Sequence, residues 1–151
     1  MVYWLLSLII FNLLCLCIVQ LVFYKKKRLL DSRIVVTLLL TLPPLVSLIN
    51  GMLIFFMEYD VFFSILVSGL LGLITGSLAG SLYNLITLSF SSIISFYFGL
   101  MGPMIATPLI SPNLCGIYIE GSTQTYILLM SLLGTFLIGT FSLLYINFLK
   151  G

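Results

Sequence analysis

The chain has no histidine and few charged residues. Only 7% of its 151 residues are Asp, Glu, Lys or Arg, whereas soluble globular proteins average about 25%. Without histidine, neither a Ser-His-Asp nor a Cys-His catalytic arrangement is available. The sequence also lacks a glycine-rich phosphate-binding loop followed by lysine. These absences predict a protein that is not an enzyme and that holds no cofactor.

Charges are missing from most of the length of the chain. The six basic and four acidic residues fall in four places: within residues 25–33, at Glu58 and Asp60, at Glu120, and at Lys150. A charged side chain at a helix centre costs about 2.5–3.5 kcal/mol on membrane-insertion scales, so the charge-free runs are typical of membrane spans. Without a carboxylate in any span, an intramembrane aspartyl dyad or proton relay is excluded. The net charge of +2 is too small to indicate a nucleic-acid partner.

The three cysteines follow no metal-binding or disulfide pattern. Cys15 and Cys17 are two positions apart, so on a helix they diverge by about 200°. Cys115 lies far along the chain, and no histidine is present to complete a ligand set. No metal site is predicted.

Long apolar runs are what the sequence does contain. Hydrophobic residues make up 62% of the chain, and the mean hydropathy is +1.31. We therefore predict an all-α integral membrane bundle in a lipid bilayer, forming a single polytopic domain with no soluble domain. The five predicted transmembrane helices cover about residues 2–24, 34–57, 61–80, 85–101 and 125–149. One helix over residues 61–98 would measure about 57 Å against a hydrocarbon core of about 30 Å, which predicts a turn near residues 80–84.

Prolines are expected to interrupt two of the helical regions. Pro43-Pro44 lies near the middle of the second span and predicts a kink there. Residues 99–112 contain three prolines and two glycines, so this segment is predicted to be broken, either as a kinked exit or as a re-entrant loop. Broken helices expose carbonyl groups at which many transporters bind ions, although prolines also occur in membrane helices without such a role. The candidate broken-helix site comprises Pro43, Pro44, Pro103 and Pro108.

The basic cluster predicts the orientation in the membrane. Residues 25–33 hold five of the six basic residues, and by the positive-inside rule this loop is cytoplasmic. The N-terminus is then expected outside and the C-terminus, with Lys150, in the cytoplasm. This orientation assumes a bacterial plasma membrane or its topological equivalent.

Four glycines in the third span recur at spacings of three, four and four. At about 100° per residue they fall within one arc of roughly 80° on a helix. The stripe comprises Gly69, Gly72, Gly76 and Gly80. Because small residues in lipid let a neighbouring helix approach closely, the stripe predicts packing against the fourth or fifth helix of the same chain. A contact between copies and the lining of a pore are the alternatives.

Two further stripes have similar spacing. The fourth span carries a polar stripe of Asn84, Thr87, Ser91 and Ser95. The fifth span carries Ser131, Thr135, Gly139 and Ser142 on one face. Hydroxyl side chains readily bond their own helix or a neighbouring one, so the polar stripe is interpreted as a packing surface or as a polar path for a solute. The stripe on the fifth span is interpreted as a packing face.

These features support one leading hypothesis for function and two rivals. The leading hypothesis is a non-enzymatic accessory or structural membrane subunit, which packs through small-residue faces with copies of itself or with a larger membrane partner. The first rival is a small transporter or channel for a neutral solute or a soft metal ion, built around the broken helices and the polar stripe. The second is a holin-like protein that permeabilises membranes.

Overall fold

The chain forms five long helices. The computed structural model describes residues 2–26, 32–58, 60–81, 84–110 and 123–150. The helices are α1 (Val2–Lys26), α2 (Ser32–Glu58), α3 (Val61–Ser81), α4 (Leu85–Ile110) and α5 (Thr123–Lys150). Within these ranges there is no strand, and each helix is long and apolar enough to cross a membrane. The predicted all-α membrane bundle of five helices is therefore confirmed.

The fourth helix is longer than the sequence predicts. We expected it to end near Met101, but α4 continues to Ile110 with Pro103 and Pro108 inside it. The re-entrant loop predicted as one alternative for residues 99–112 is thus wrong for residues 99–110, whereas the kinked exit stays a prediction. The last two residues lie outside the described ranges. Proline removes one helix hydrogen bond, but in a membrane the neighbouring groups can compensate. The carbonyls that lose their helical donor are those of Gly99 and Met104. The Thr107 hydroxyl donates to a different one, the Pro103 carbonyl oxygen, at 2.8 Å.

The second helix also runs through its prolines. Pro43 and Pro44 lie inside α2, which is continuous from Ser32 to Glu58, and both prolines are buried. The pair therefore interrupts neither the helix nor the packing around it. The kink at this point stays a prediction.

Helices α2, α3 and α4 form the most closely packed part of the bundle. Contacts pair Gly72 with Ser95 and Gly76 with Ser91, so residue numbers rise on α3 as they fall on α4. These two helices are antiparallel, as expected when only three residues separate Ser81 from Leu85. The Ser47 hydroxyl on α2 reaches the Ser95 carbonyl oxygen, whereas Gly51 lies against Gly99 one turn further along both helices. Helix α2 is therefore parallel to α4.

Helices α1 and α5 pack on α2 away from this core. Leu42 on α2 shares a small cavity with Phe141 on α5, and Phe56 shares another with Met130, so α5 is antiparallel to α2. Only five residues connect α1 to α2, a connection of at most about 22 Å, which is too short to return along the helix length. The two ends of the chain therefore lie at opposite ends of the bundle, as an odd number of crossings requires. Which end is cytoplasmic stays a prediction.

An aspartate begins the third helix. The carboxylate Oδ1 of Asp60 accepts hydrogen bonds from the backbone N–H groups of Phe62 at 3.0 Å and Phe63 at 3.5 Å. Its carbonyl oxygen accepts the first helical bond, from the N–H of Ser64. Asp60 is therefore the N-cap of α3, and its side chain satisfies donors that have no partner within the helix.

Removing this cap should destabilise the protein measurably. We expect Asp60→Ala to lower the free energy of unfolding by about 1 kcal/mol, the usual effect of losing an N-cap. Asp60→Asn keeps an acceptor oxygen at the same position and should retain most of that stability. Unfolding by SDS in mixed micelles, followed by circular dichroism, measures both. Equal losses in the two variants would contradict this role.

Candidate functional site

The glycine stripe of α3 lies directly against α4. A Cβ atom built on Gly76 would lie 2.5 Å from the carbonyl oxygen of Ser91. One built on Gly72 would overlap the carbonyl oxygen of Ser95 and lie 2.6 Å from the Ser47 hydroxyl oxygen. Gly69 and Gly80 face the same helix, at Leu100 and Leu88. The backbones of α3 and α4 thus approach each other very closely. Two helices can come this close only where side chains are absent.

The polar stripe of α4 forms the other side of this seam. Thr87, Ser91 and Ser95 are buried there, with exposed fractions of 7%, 0% and 0%, whereas Asn84 is exposed at the start of α4. The Thr87 hydroxyl donates to the Asn84 carbonyl oxygen at 2.7 Å. The structure therefore brings three of the four predicted residues together, against the glycine stripe. Since the seam has no room even for a methyl group at Gly72 or Gly76, it provides no open path for a solute.

A second close contact, which the sequence analysis missed, joins α2 to α4. A Cβ atom on Gly102 would lie 2.5 Å from the Leu48 carbonyl oxygen, and one on Gly51 would lie 2.9 Å from the Gly99 carbonyl oxygen. The signal was present in the sequence, because Ser47 and Gly51 are four residues apart, as are Ser95 and Gly99. Such pairs of small residues commonly mark helix contacts in membranes.

Of the four prolines in the candidate broken-helix site, Pro103 lies at the same contact, whereas Pro43 and Pro44 lie about two turns away on α2. Pro103 has no N–H to donate to the Gly99 carbonyl, so this oxygen has no helical partner. A Cβ built on Gly51 would lie 2.9 Å from this oxygen and 3.2 Å from the Pro103 ring, so α2 lies directly against the freed carbonyl. Pro43 and Pro103 are both buried. Packing from α2 therefore occupies the position at which an exposed carbonyl would bind an ion.

Two buried amides connect α1 to α2. Asn12 and Asn50 are 0% and 2% exposed, and the Asn12 Nδ2 group donates to Asn50 Oδ1 at 3.2 Å. The Asn12 Oδ1 atom has no hydrogen-bond partner among the described residues. The sequence analysis did not single out this pair. The available signal was an amide near the middle of an apolar span, Asn12 in the first and Asn50 in the second, because such a group needs a partner in lipid.

The small-residue stripe of α5 is only partly covered. Ser131 and Thr135 are buried, and their hydroxyls bond carbonyls of α5 itself, Thr135 donating to Ser131 at 3.1 Å. A Cβ atom built on Gly134, which was not predicted, would lie 3.0 Å from the Ile49 side chain. In contrast, a Cβ on Gly139 would meet nothing within 4 Å. Ser131 and Thr135 are thus covered within the chain, whereas Gly139 is not.

A large apolar groove lies beside α5 at this uncovered position. Its volume is about 670 Å³, and it is lined almost entirely by α5, with Phe11 as the contribution of α1. We call it the α5 groove, and define it by Phe11, Leu129, Leu132, Phe136, Gly139 and Leu143. Its polar contributors are the hydroxyls of Thr135 and Thr140, each bonded to its own helix. The groove therefore offers shape and apolar contact without charge.

No metal centre is formed by the described residues. Within residues 2–26, 32–58, 60–81, 84–110 and 123–150, no group of three His, Cys, Asp or Glu side chains lies close enough to hold an ion. Cys15 is half-buried and Cys17 is exposed, and both are free thiols. They point to different sides of α1, as their spacing predicts. Cys115 falls outside the described residues.

Comparison with known proteins adds no family to this description. Searches against protein-family models, curated proteins and solved structures found no match to the chain. The functional conclusion therefore depends on the helix geometry alone.

Proposed function

We propose that this chain is a non-enzymatic accessory or structural membrane subunit, which works by packing against the transmembrane helices of copies of itself or of a larger membrane partner. The observation that carries this proposal is the contrast between two glycines. Gly72 is in contact with α4 and α2, whereas Gly139 has no neighbour within 4 Å and opens into the α5 groove.

The dimensions of the α5 groove suit another helix. Its lining on α5 runs from Leu128 to Leu143, 16 residues that measure about 24 Å along a helix, most of a hydrocarbon core about 30 Å thick. A glycine on the floor of such a groove lets a partner backbone approach closely, as Gly72 does for α4 within the chain. A glycine at this position does little for the packing of lipid chains. A helix packed in the groove therefore accounts for Gly139 better than lipid does.

The closed core favours this function over transport. A transporter needs a site or path between its helices, usually near the middle of the membrane. Here the polar stripe is pressed against the glycine stripe, and Gly51 covers the carbonyl freed by Pro103. Neither the seam between α3 and α4 nor the Gly99 carbonyl therefore offers the transporter hypothesis an open path or binding site. No observation favours the holin-like alternative.

Crosslinking from the α5 groove tests the proposal. Leu143→Cys, in a chain whose three native cysteines are replaced by alanine, should form an adduct with a membrane protein when a thiol crosslinker is added to native membranes. Adding Gly139→Leu should reduce that adduct at least about fivefold, because a side chain forced into a packed helix contact costs about 1–3 kcal/mol. Mass spectrometry identifies the adduct.

Two controls make this result specific. Leu70→Cys places a thiol on the outer face of α3, where Leu70 is 59% exposed, and should give no discrete adduct. Gly139→Leu should leave the unfolding midpoint unchanged, because its side chain meets open space. An adduct that persists in the Gly139→Leu variant, or a Leu143→Cys protein that yields none, would overturn the role of the groove.

A further inference from the structure

A tyrosine lies at the middle of the membrane on the outer face of α4. Tyr97 is 58% exposed and sits halfway along the span Leu85–Pro108, about 17 Å from either end. Ser95, two residues earlier, contacts Gly72, which is itself at the middle of α3. The position of Tyr97 along α4 and the contact of Ser95 with the middle of α3 both place Tyr97 close to the midplane.

The phenol of Tyr97 has no hydrogen-bond partner among the described residues. Its ring makes an edge contact with Phe96, with the ring centroids 5.9 Å apart, but this contact leaves the hydroxyl free. The nearby Gly99 carbonyl oxygen, which Pro103 leaves without a helical donor, lies against Gly51 on α2. Both aqueous interfaces are far beyond the reach of a tyrosine side chain. A hydroxyl in hydrocarbon without a partner is costly, and tyrosine is normally enriched at the membrane interfaces instead.

We infer that the outer face of α4 is a homodimer interface, in which Tyr97 donates a hydrogen bond to Tyr97 of a second copy. This inference rests on the proposed function and names the partner at one surface. Two copies with the same orientation in the membrane are related by a two-fold axis along the membrane normal. This axis places Tyr97 of both copies at the same depth. A phenol both donates and accepts, so a pair of tyrosines is complementary to itself.

The residues around Tyr97 fit such a contact. An apolar stripe surrounds it on the same face of α4, at helical spacings of three and four, and each side chain is more than half exposed. Its members are Phe90, Ile93, Met101 and Met104. The two methionines are flexible and fill irregular gaps well, so they can accommodate a copy of the same helix. The α4 face therefore offers a continuous apolar surface with one polar group at its centre.

Measuring dimerisation after removal of a single oxygen tests the inference. Tyr97→Phe keeps the ring and deletes the hydroxyl. A hydrogen bond within a membrane contributes about 0.6–1.7 kcal/mol, so its loss should weaken dimerisation about 3- to 20-fold. Dilution of fluorescently labelled protein in phosphatidylcholine vesicles, with energy transfer as the readout, measures the constant. Tyr24→Phe is the matched control, because Tyr24 is 67% exposed at the end of α1 and its hydroxyl reaches the interface. Tyr24→Phe should leave the dimerisation constant unchanged.

A disulfide test locates the interface independently. In the cysteine-free chain, Met101→Cys should oxidise to a dimer in vesicles, whereas Leu70→Cys on the outer face of α3 should not. A dimer that is insensitive to Tyr97→Phe, or one that crosslinks only through Leu143→Cys in the α5 groove, would overturn the α4 interface and leave the proposed function standing. A monomer that still forms the groove adduct with another protein would do the same. A monomer without any adduct would overturn both.

Discussion

Gly72→Ala should destabilise the protein by about 3 kcal/mol, at the upper end of the range for overpacked sites. The added methyl would overlap the carbonyl oxygen of Ser95 and lie 2.6 Å from the Ser47 hydroxyl oxygen. A backbone carbonyl cannot rotate away as a side chain can, so α3 and α4 must separate. That separation also disturbs the 2.8 Å hydrogen bond from Ser47 to Ser95, so the substitution affects all three core helices.

Gly139→Ala is the matched control for this experiment. It makes the same chemical change on α5, where a Cβ meets nothing within 4 Å, so we expect a change within about 0.5 kcal/mol. The free energy of unfolding is measured by SDS titration in mixed micelles with circular dichroism as the probe. Alanine has the higher helix propensity, so propensity alone would favour both variants. If both variants lost the same stability, the loss would not come from the contact with α4, and the close approach of α3 to α4 would not be what Gly72 provides.

Asn50→Leu should cost about 2 kcal/mol, because it leaves the buried Asn12 amide without its partner. Both side chains lie in the bundle interior, at 0% and 2% exposure. An unsatisfied buried polar group costs about 1–3 kcal/mol, more than the net value of the hydrogen bond that it formerly made. The loss should appear in the same SDS titration. It should also weaken the attachment of α1 to α2, which protease accessibility of the loop at residues 27–31 would report.

A double-mutant cycle separates the pair from the individual side chains. Replacing both amides by leucine removes both polar groups together, so Asn12→Leu combined with Asn50→Leu should be more stable than Asn50→Leu alone. The expected coupling is about 0.6–1.7 kcal/mol, the range measured for hydrogen bonds within membrane bundles. Additive losses would show that the two amides do not depend on each other, and would contradict the hydrogen bond as a determinant of α1 packing.

The helix boundaries show where sequence reasoning succeeded and where it failed. The third helix was predicted over residues 61–80 and observed at Val61–Ser81, because an acidic residue precedes it and a glycine ends its apolar run. The fourth helix was predicted to stop near Met101 but extends to Ile110. Proline rules describe an isolated helix. Around Pro103, however, α2 packs directly against the freed Gly99 carbonyl.

The candidate surfaces show the same division. The spacing of Gly72 and Gly76 identified a packing face, but the sequence offered α4, α5 and a second copy as partners. Tyr97 was not singled out, because its significance depends on its exposed fraction and on its depth beside Gly72. A tyrosine in an apolar run is otherwise indistinguishable from one buried in a bundle.

By itself, the sequence determined that this chain is a membrane bundle of five α-helices, because hydrocarbon forces each apolar run to satisfy its backbone groups within one helix. Only the tertiary structure decided which faces meet. It placed Gly72 against α4 and joined Asn12 to Asn50. It also left Gly139 without a neighbour within 4 Å and exposed Tyr97 on the outer face of α4. The reason is physical: in lipid, apolar surface drives no particular pairing, so helix contacts are chosen by close packing and hydrogen bonds that depend on all the helices together.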